Sequence, residues 1–224
     1  MNCIRFQVHS DIHLEKYPSR RLYPSSPHLI LAGDIGVPLF PSYRNFFRDT
    51  SRKFDSILYV LGNHEFERTW VGIDKNNYDL LKLKFMDRKK LISEILVEFQ
   101  NVTLLDNQCM MMNEKKIFGS TLWTNYYQRK SDKKLSVVER FITDQHFETL
   151  NKIDLWKSDL LITHFVSNRN VLKKKWNIGL GPRSTIHSLK TVFGHIHYPI
   201  FEEGVVCNPW GSDENHNISF IDLD

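Results

Sequence analysis

Five short blocks of metal-ligating residue types occur along the chain in one order: Asp11-Ile12-His13, Gly33-Asp34, Gly62-Asn63-His64-Glu65, Thr163-His164 and Gly194-His195-Ile196-His197. Most of them close a short apolar run: Leu29-Ile30-Leu31-Ala32 leads into Gly33-Asp34, and Ile57–Leu61 leads into Gly62. An apolar run of that length, bounded by turn residues, reads as a buried strand. A chain built this way puts its polar donors at strand ends, where open α/β sheets carry their chemistry. Together the blocks supply oxygen and imidazole donors enough for two divalent ions.

Apolar, β-branched runs alternate with helical patterns. Strands are expected at Ile4–His9, His28–Ala32, Ser56–Leu61, Val102–Leu105, Cys109–Met112, Lys116–Leu122, Asp159–Thr163, Thr191–Phe193, Gly204–Cys207 and Ile218–Asp222. One helix is expected after Pro41-Ser42, with Tyr43, Phe46, Phe47 and Phe54 on one face. A second is expected where Leu80 and Leu83 lead toward Ile92, Ile95, Leu96 and Phe99 in a core-facing stripe. The alternation predicts an α/β class. With 224 residues and no linker, residues 1–224 read as one domain. Two stretches fit the alternation poorly: Trp123–Asp132, leading into the charged run 129–134, and Phe165–Lys190, which carries Lys173-Lys174-Lys175 and Gly179-Leu180-Gly181-Pro182-Arg183. Long loops of this kind are often functional, although a lysine run is more often a solvated turn.

A formal charge of +4 suits an anionic substrate but is too small to establish nucleic-acid binding. No stretch approaches the length of a membrane span, and the amino terminus lacks a signal-peptide layout. Cys3, Cys109 and Cys207 are scattered without metal-ligand spacing and read as buried thiols, so a cytoplasmic location is expected.

The spacing within the blocks has chemical content. Asp11 and His13 are two apart; in an extended segment both side chains point the same way while Ile12 turns into the core. His195 and His197 repeat the device around Ile196. Gly33 lets the backbone turn sharply before Asp34, whose carboxylate can place one oxygen on each of two ions. Asn63 offers a neutral carbonyl oxygen with His64 beside it. His9, His28, His146, His187 and His216 lie outside the blocks and read as ordinary hydrogen-bonded histidines.

As an ordered set, the five blocks resemble the calcineurin-like metallophosphoesterase superfamily. The resemblance implies an α/β sandwich of two packed β-sheets flanked by helices. It implies one ion held by Asp11, His13, Asp34 and His197, and a second held by Asp34, Asn63, His164 and His195, with Asp34 as the bridge. His64 would be the acid, or a hydrogen-bond donor to the phosphoryl or leaving oxygen. Two dications, less two carboxylates and a bridging hydroxide, leave about one positive charge, which attracts a phosphate and still releases product. The implied reaction is hydrolysis of a phosphomonoester or phosphodiester of a small molecule or nucleotide by that hydroxide. Mixed N/O donors without cysteine point to Mn, Fe or Zn, with Mn the expected ion in vitro.

The phosphoprotein phosphatase branch extends its second block to Gly-Asp-x-x-Asp-Arg-Gly, whereas Asp34 here is followed by Ile35-Gly36-Val37-Pro38. The Asp that orients the histidine and the phosphate-binding Arg are therefore missing, and Glu65 is a candidate partner for His64 by adjacency alone. Gly119-Ser120-Thr121-Leu122-Trp123-Thr124 paired with Cys207-Asn208-Pro209-Trp210-Gly211 resembles a compact group of single-domain phosphohydrolases. A nuclease acting on DNA or RNA and a non-catalytic protein-binding scaffold of the same fold are the alternatives.

Overall fold

The apolar runs assemble into two sheets in the computed structural model, which describes residues 3–67, 69, 77–126, 135–153, 157–167, 190–210 and 218–224. In chain order the elements are β1 (Ile4–His9), β2 (His28–Ala32), α1 (Pro41–Ser51), β3 (Ser56–Val60), α2 (Tyr78–Leu96), β4 (Val102–Leu104), β5 (Gln108–Met112) and β6 (Lys115–Ser120). They continue with α3 (Val137–Ile153), β7 (Leu160–Thr163), β8 (Lys190–Phe193), β9 (Ile200–Glu202), β10 (Val205–Cys207) and β11 (Ser219–Leu223). One sheet has the order β11-β1-β2-β3-β4, and the other β5-β6-β7-β8-β10-β9. Strands β1 to β4 run parallel to one another, as do β6, β7, β8 and β10. The outer strands β11, β5 and β9 are antiparallel to their neighbours. The expected mixed α/β architecture, two sheets flanked by helices, is what forms.

Parallel strands buried on both faces explain the continuous apolar runs. Phe6, Val8, Ile30 and Val60 of the first sheet pack against Ile117, Leu160, Ile162 and Val192 of the second. On the opposite face of the first sheet, Leu29, Leu31, Ile57 and Tyr59 meet Phe46 and Phe47 of α1 and Phe85 and Ile92 of α2. Each fully buried side chain of this size contributes roughly 1.5–3 kcal/mol. Pro41 opens α1 where a missing N–H costs nothing, and Asn77 caps α2 by accepting from Leu80 N at 2.9 Å.

Several expectations need correction. Leu83 faces solvent, because the buried stripe of α2 runs through Leu81, Phe85, Arg88, Ile92, Ile95 and Leu96. Helix α3 was not anticipated. Its buried face mixes Val137 and Phe141 with Thr143, His146 and Thr149, so no apolar stripe advertises it. Strand β9 is a half-exposed edge of three residues, too short to register as a run. Among the cysteines only Cys207 is fully buried, and Cys3 is exposed. Residues 127–134, the lysine run 173–175, the segment 179–183, Gly211, His187 and His216 lie outside the described residues. No helix among the described residues is long and apolar enough to cross a membrane.

Candidate metal centre

Every block follows the carboxyl end of a parallel strand: Asp11 after β1, Asp34 after β2, Asn63 and His64 after β3, His164 after β7, and His195 and His197 after β8. The two sheets meet at this edge. Asp11 N donates to Gly33 O at 2.9 Å, Gly194 N to His164 O at 3.0 Å, and His164 Nδ1 to Ala32 O at 2.9 Å. Asn208, Pro209 and Trp210 brace the first block from the side. Ser10 N donates to Asn208 O, Trp210 N to Ser10 O, and Asn208 Nδ2 to Val8 O. Gly33 has φ of +83°, and a Cβ there would strike the His164 ring; a Cβ on Gly62 would strike the Asp34 carboxylate.

Asp11 and His13 are not extended as the strand-period argument supposed. Their φ angles are 53° and 52°, and Asp34, His195 and His197 have φ of 54°, 70° and 49°. Five of the seven predicted ligands thus occupy the left-handed region, where Asp and His are tolerated better than most residues. Left-handed backbone at non-glycine positions costs on the order of 1–3 kcal/mol each and gathers where function requires a fixed side-chain direction. Ile12 and Ile196 turn into the core between their ligand pairs, as expected.

The predicted residues come together as two groups. The ligand atoms of Asp11, His13, Asp34 and His197 lie within 4.8 Å of one another, as do those of Asp34, His164 and His195. Asp34 belongs to both. Asn63 joins the second group, with Oδ1 3.1 Å from His164 Nε2 and 3.1 Å from His195 Nδ1.

The donor chemistry fits divalent ions. Ala32 O can only accept, so His164 Nδ1 carries a proton; its Nε2 then faces Asn63 Oδ1 at 3.1 Å and Asp34 Oδ2 at 3.3 Å. Likewise His13 Nδ1 bonds Glu15 Oε1 at 2.9 Å, leaving His13 Nε2 3.1 Å from His197 Nε2. Acceptors held this close must share either a proton on an imidazole or a bound cation, so the same donor set could hold divalent ions.

The electrostatics agree. Burial raises the Asp34 pKa, but the charges of His164 and His64 override it and hold the carboxyl well below its usual range. Burial lowers His164, yet Asp34 lifts it to about 9. Burial and the His164 charge push His195 down to about 4. Protons on imidazole thus offset Asp34 in the metal-free cluster, and bound ions would displace them.

His64 lies at the mouth, its side chain 24 % exposed, with Nε2 4.0 Å from Asp34 Oδ2. Burial lowers its pKa, but the hydrogen bond to Glu15 and the charge of Asp34 carry it up to about 9. Its backbone N donates to Asp34 Oδ1 at 2.7 Å.

Glu65 is not its partner. The Glu65 carboxylate is fully buried and accepts from the backbone N of Asp34, Ile35 and Gly62 at 3.1, 2.7 and 2.6 Å and from Tyr59 OH at 2.8 Å. Burial and the neighbouring Asp34 raise its pKa, and these donors work against that rise. Glu65 is a clamp that shapes the turn presenting Asp34. The buried acid that does reach His64 is Glu15, Oε1 to Nδ1 at 3.0 Å. A signal for it existed: Glu15 continues the every-second-residue pattern Asp11, His13. Among the remaining histidines, His9 pairs with Gln7, His28 with Ser56 and His146 with Trp123 O, as ordinary hydrogen-bonded residues do.

No family model matches the chain. It is 29% identical over 188 residues to the uncharacterized protein L509 of Acanthamoeba polyphaga mimivirus, a match covering 81% of this chain and 58% of that protein. The chain therefore spans little more than half the length of this relative. Among solved structures, it superposes on phosphopantetheinyl hydrolase (PptH) from Mycobacterium tuberculosis with a TM-score of 0.62 and 18% identity, covering 92% of this chain and 89% of that one. The chain shares that hydrolase's fold.

Proposed function

We propose that the protein is a metal-dependent phosphoester hydrolase acting on phosphomonoesters or phosphodiesters of small molecules or nucleotides. The observation that carries this reading is the convergence of two donor groups on one buried carboxylate, Asp34, with His64 beside them at the mouth. Asp11, His13, Asp34 and His197 would hold one ion, and Asp34, Asn63, His164 and His195 the other. Bound there, a pair of divalent ions supplies Lewis acidity toward the phosphoryl oxygens and lowers the pKa of water.

The chain's own residues do the rest. Asp34 fixes the spacing of the two donor groups, because its carboxylate serves both. The buried ring of His164 and the half-buried ring of His195 line one side, leaving the more exposed His64 and His197 as the approach. His64 Nε2 stands where it can pass a proton to a departing oxygen, the role of a general acid. The mixed imidazole and carboxylate set suits Mn, Fe or Zn.

The test is turnover of a substrate panel with Mn, repeated with a chelator. The panel holds p-nitrophenyl phosphate, bis-p-nitrophenyl phosphate, cyclic nucleotides, a phosphopantetheinyl ester (the group named in the structural neighbour), single-stranded and duplex DNA, and RNA. Small monoesters or diesters are expected to turn over, and chelation to abolish it. Turnover of nucleic acid alone would make the protein a nuclease, and none on any substrate would leave a binding scaffold.

A further inference from the structure

Glu15 has no part in the hydrolase reading above, although its carboxylate is buried between the first block and His64. Its side chain is 8 % exposed. One oxygen, Oε1, lies 2.9 Å from His13 Nδ1 and 3.0 Å from His64 Nδ1. The two rings meet edge to face, centroids 4.4 Å apart and planes at 80°. The second oxygen, Oε2, is buried without a hydrogen-bond partner among the described residues. A carboxylate oxygen has two lone pairs and can accept two N–H groups at once.

We propose that Glu15 is a positioning residue that sets both the candidate ligand His13 and the candidate acid His64 through a single oxygen; the inference rests on the hydrolase reading. Each ring that donates its Nδ1 hydrogen to Oε1 must turn Nε2 inward. His13 Nε2 then faces His197 Nε2 at 3.1 Å, and His64 Nε2 faces Asp34 Oδ2 at 4.0 Å. One acceptor thereby fixes the tautomer and direction of a metal donor and the direction of a proton donor, which carries hydrogen on both ring nitrogens when it acts as the acid. It supplies the orienting acid that the segment after Asp34 lacks, from a different part of the chain. Glu67 also reaches His64 Nδ1, at 3.3 Å, but its side chain is 47 % exposed and it touches only that ring.

The test compares wild type, Glu15→Ala, Glu15→Gln, His64→Ala and the Glu15→Ala/His64→Ala double variant. Three quantities are read: metal affinity by competition with a chelator, kcat at saturating metal, and the ¹⁵N resonances of the His64 ring in zinc-loaded protein. Loss of a group that orients a ligand typically weakens metal binding about 10–100-fold, which is expected for Glu15→Ala and not for His64→Ala. Glu15→Gln keeps an acceptor oxygen and should recover most of that affinity. At saturating metal the double variant should be no slower than His64→Ala, because both changes remove one function. The His64 Nδ1 resonance should lose most of its hydrogen-bond shift in Glu15→Ala, since only the more exposed Glu67 then remains to accept.

Wild-type metal affinity in Glu15→Ala, or rate losses that multiply in the double variant, would overturn the proposal. So would a third bound ion lost with Glu15, which would make His13, Glu15 and His64 a metal site of their own. If the wild type hydrolyses no phosphoester, the hydrolase reading fails, and the affinity and resonance measurements still decide the role of Glu15.

Discussion

Asp34→Ala is expected to strip metal from both halves of the centre and to lower the rate at least about 10³-fold, since two ions together supply several kcal/mol of transition-state stabilisation. The reason is positional. Asp34 is the residue common to both donor groups, and its Oδ2 is 3.3 Å from His164 Nε2. Asn63→Ala, which removes one neutral oxygen from the second group alone, should cost less. Asp34 Oδ1 also accepts from His64 N at 2.7 Å, so Asp34→Ala loosens the turn after β3 as well. Asp34→Asn keeps an acceptor for that bond and separates the two effects. It should fold like wild type and still bind metal poorly. Elemental analysis and rate measured together check this; wild-type metal content and rate in both variants would remove Asp34 from the bridging position.

His64→Ala should behave differently, keeping both metals while losing rate. A positioned acid typically contributes about 10²–10⁴-fold, and the loss should fall in that range. It should be larger for alkyl phosphoesters, whose leaving oxygen needs a proton, than for p-nitrophenyl esters, whose leaving group departs unaided. Kinetics across a leaving-group series check this. A variant that lost a metal would make His64 a ligand, and one that slowed every ester equally would make it an electrostatic clamp on the phosphoryl group.

The convergence of the seven candidate residues was legible because their types are those that metal sites use and because each sits just after a recognisable strand. The strands were legible for a related reason. Burial on both faces leaves an uninterrupted apolar run, as in Leu29–Ala32 and Ile57–Leu61. Sequence showed less where burial and polarity part company. Helix α3 buries Thr143, His146 and Thr149, so its periodicity is hidden. The local geometry of the ligand pairs was also hidden, because the bonds that accompany left-handed φ at Asp11 and His195, Asp11 N to Gly33 O and His195 N to the Asp11 carboxylate, reach other loops. Glu65 and Glu15 make the same point about partners. The adjacent acid turns inward to the backbone of Asp34 and Ile35, while the buried acid that reaches His64 lies 49 residues earlier in the chain. Adjacency in sequence predicts little about which carboxylate meets which imidazole across a sheet edge.

The most direct test of the account is a titration of metal-stripped protein with Mn, following bound metal and phosphoester hydrolysis in the same samples. Binding is expected to saturate at two ions per chain, with activity reaching its maximum only as the second is taken up. Saturation at one ion, or full activity in protein from which all metal has been removed, would contradict it.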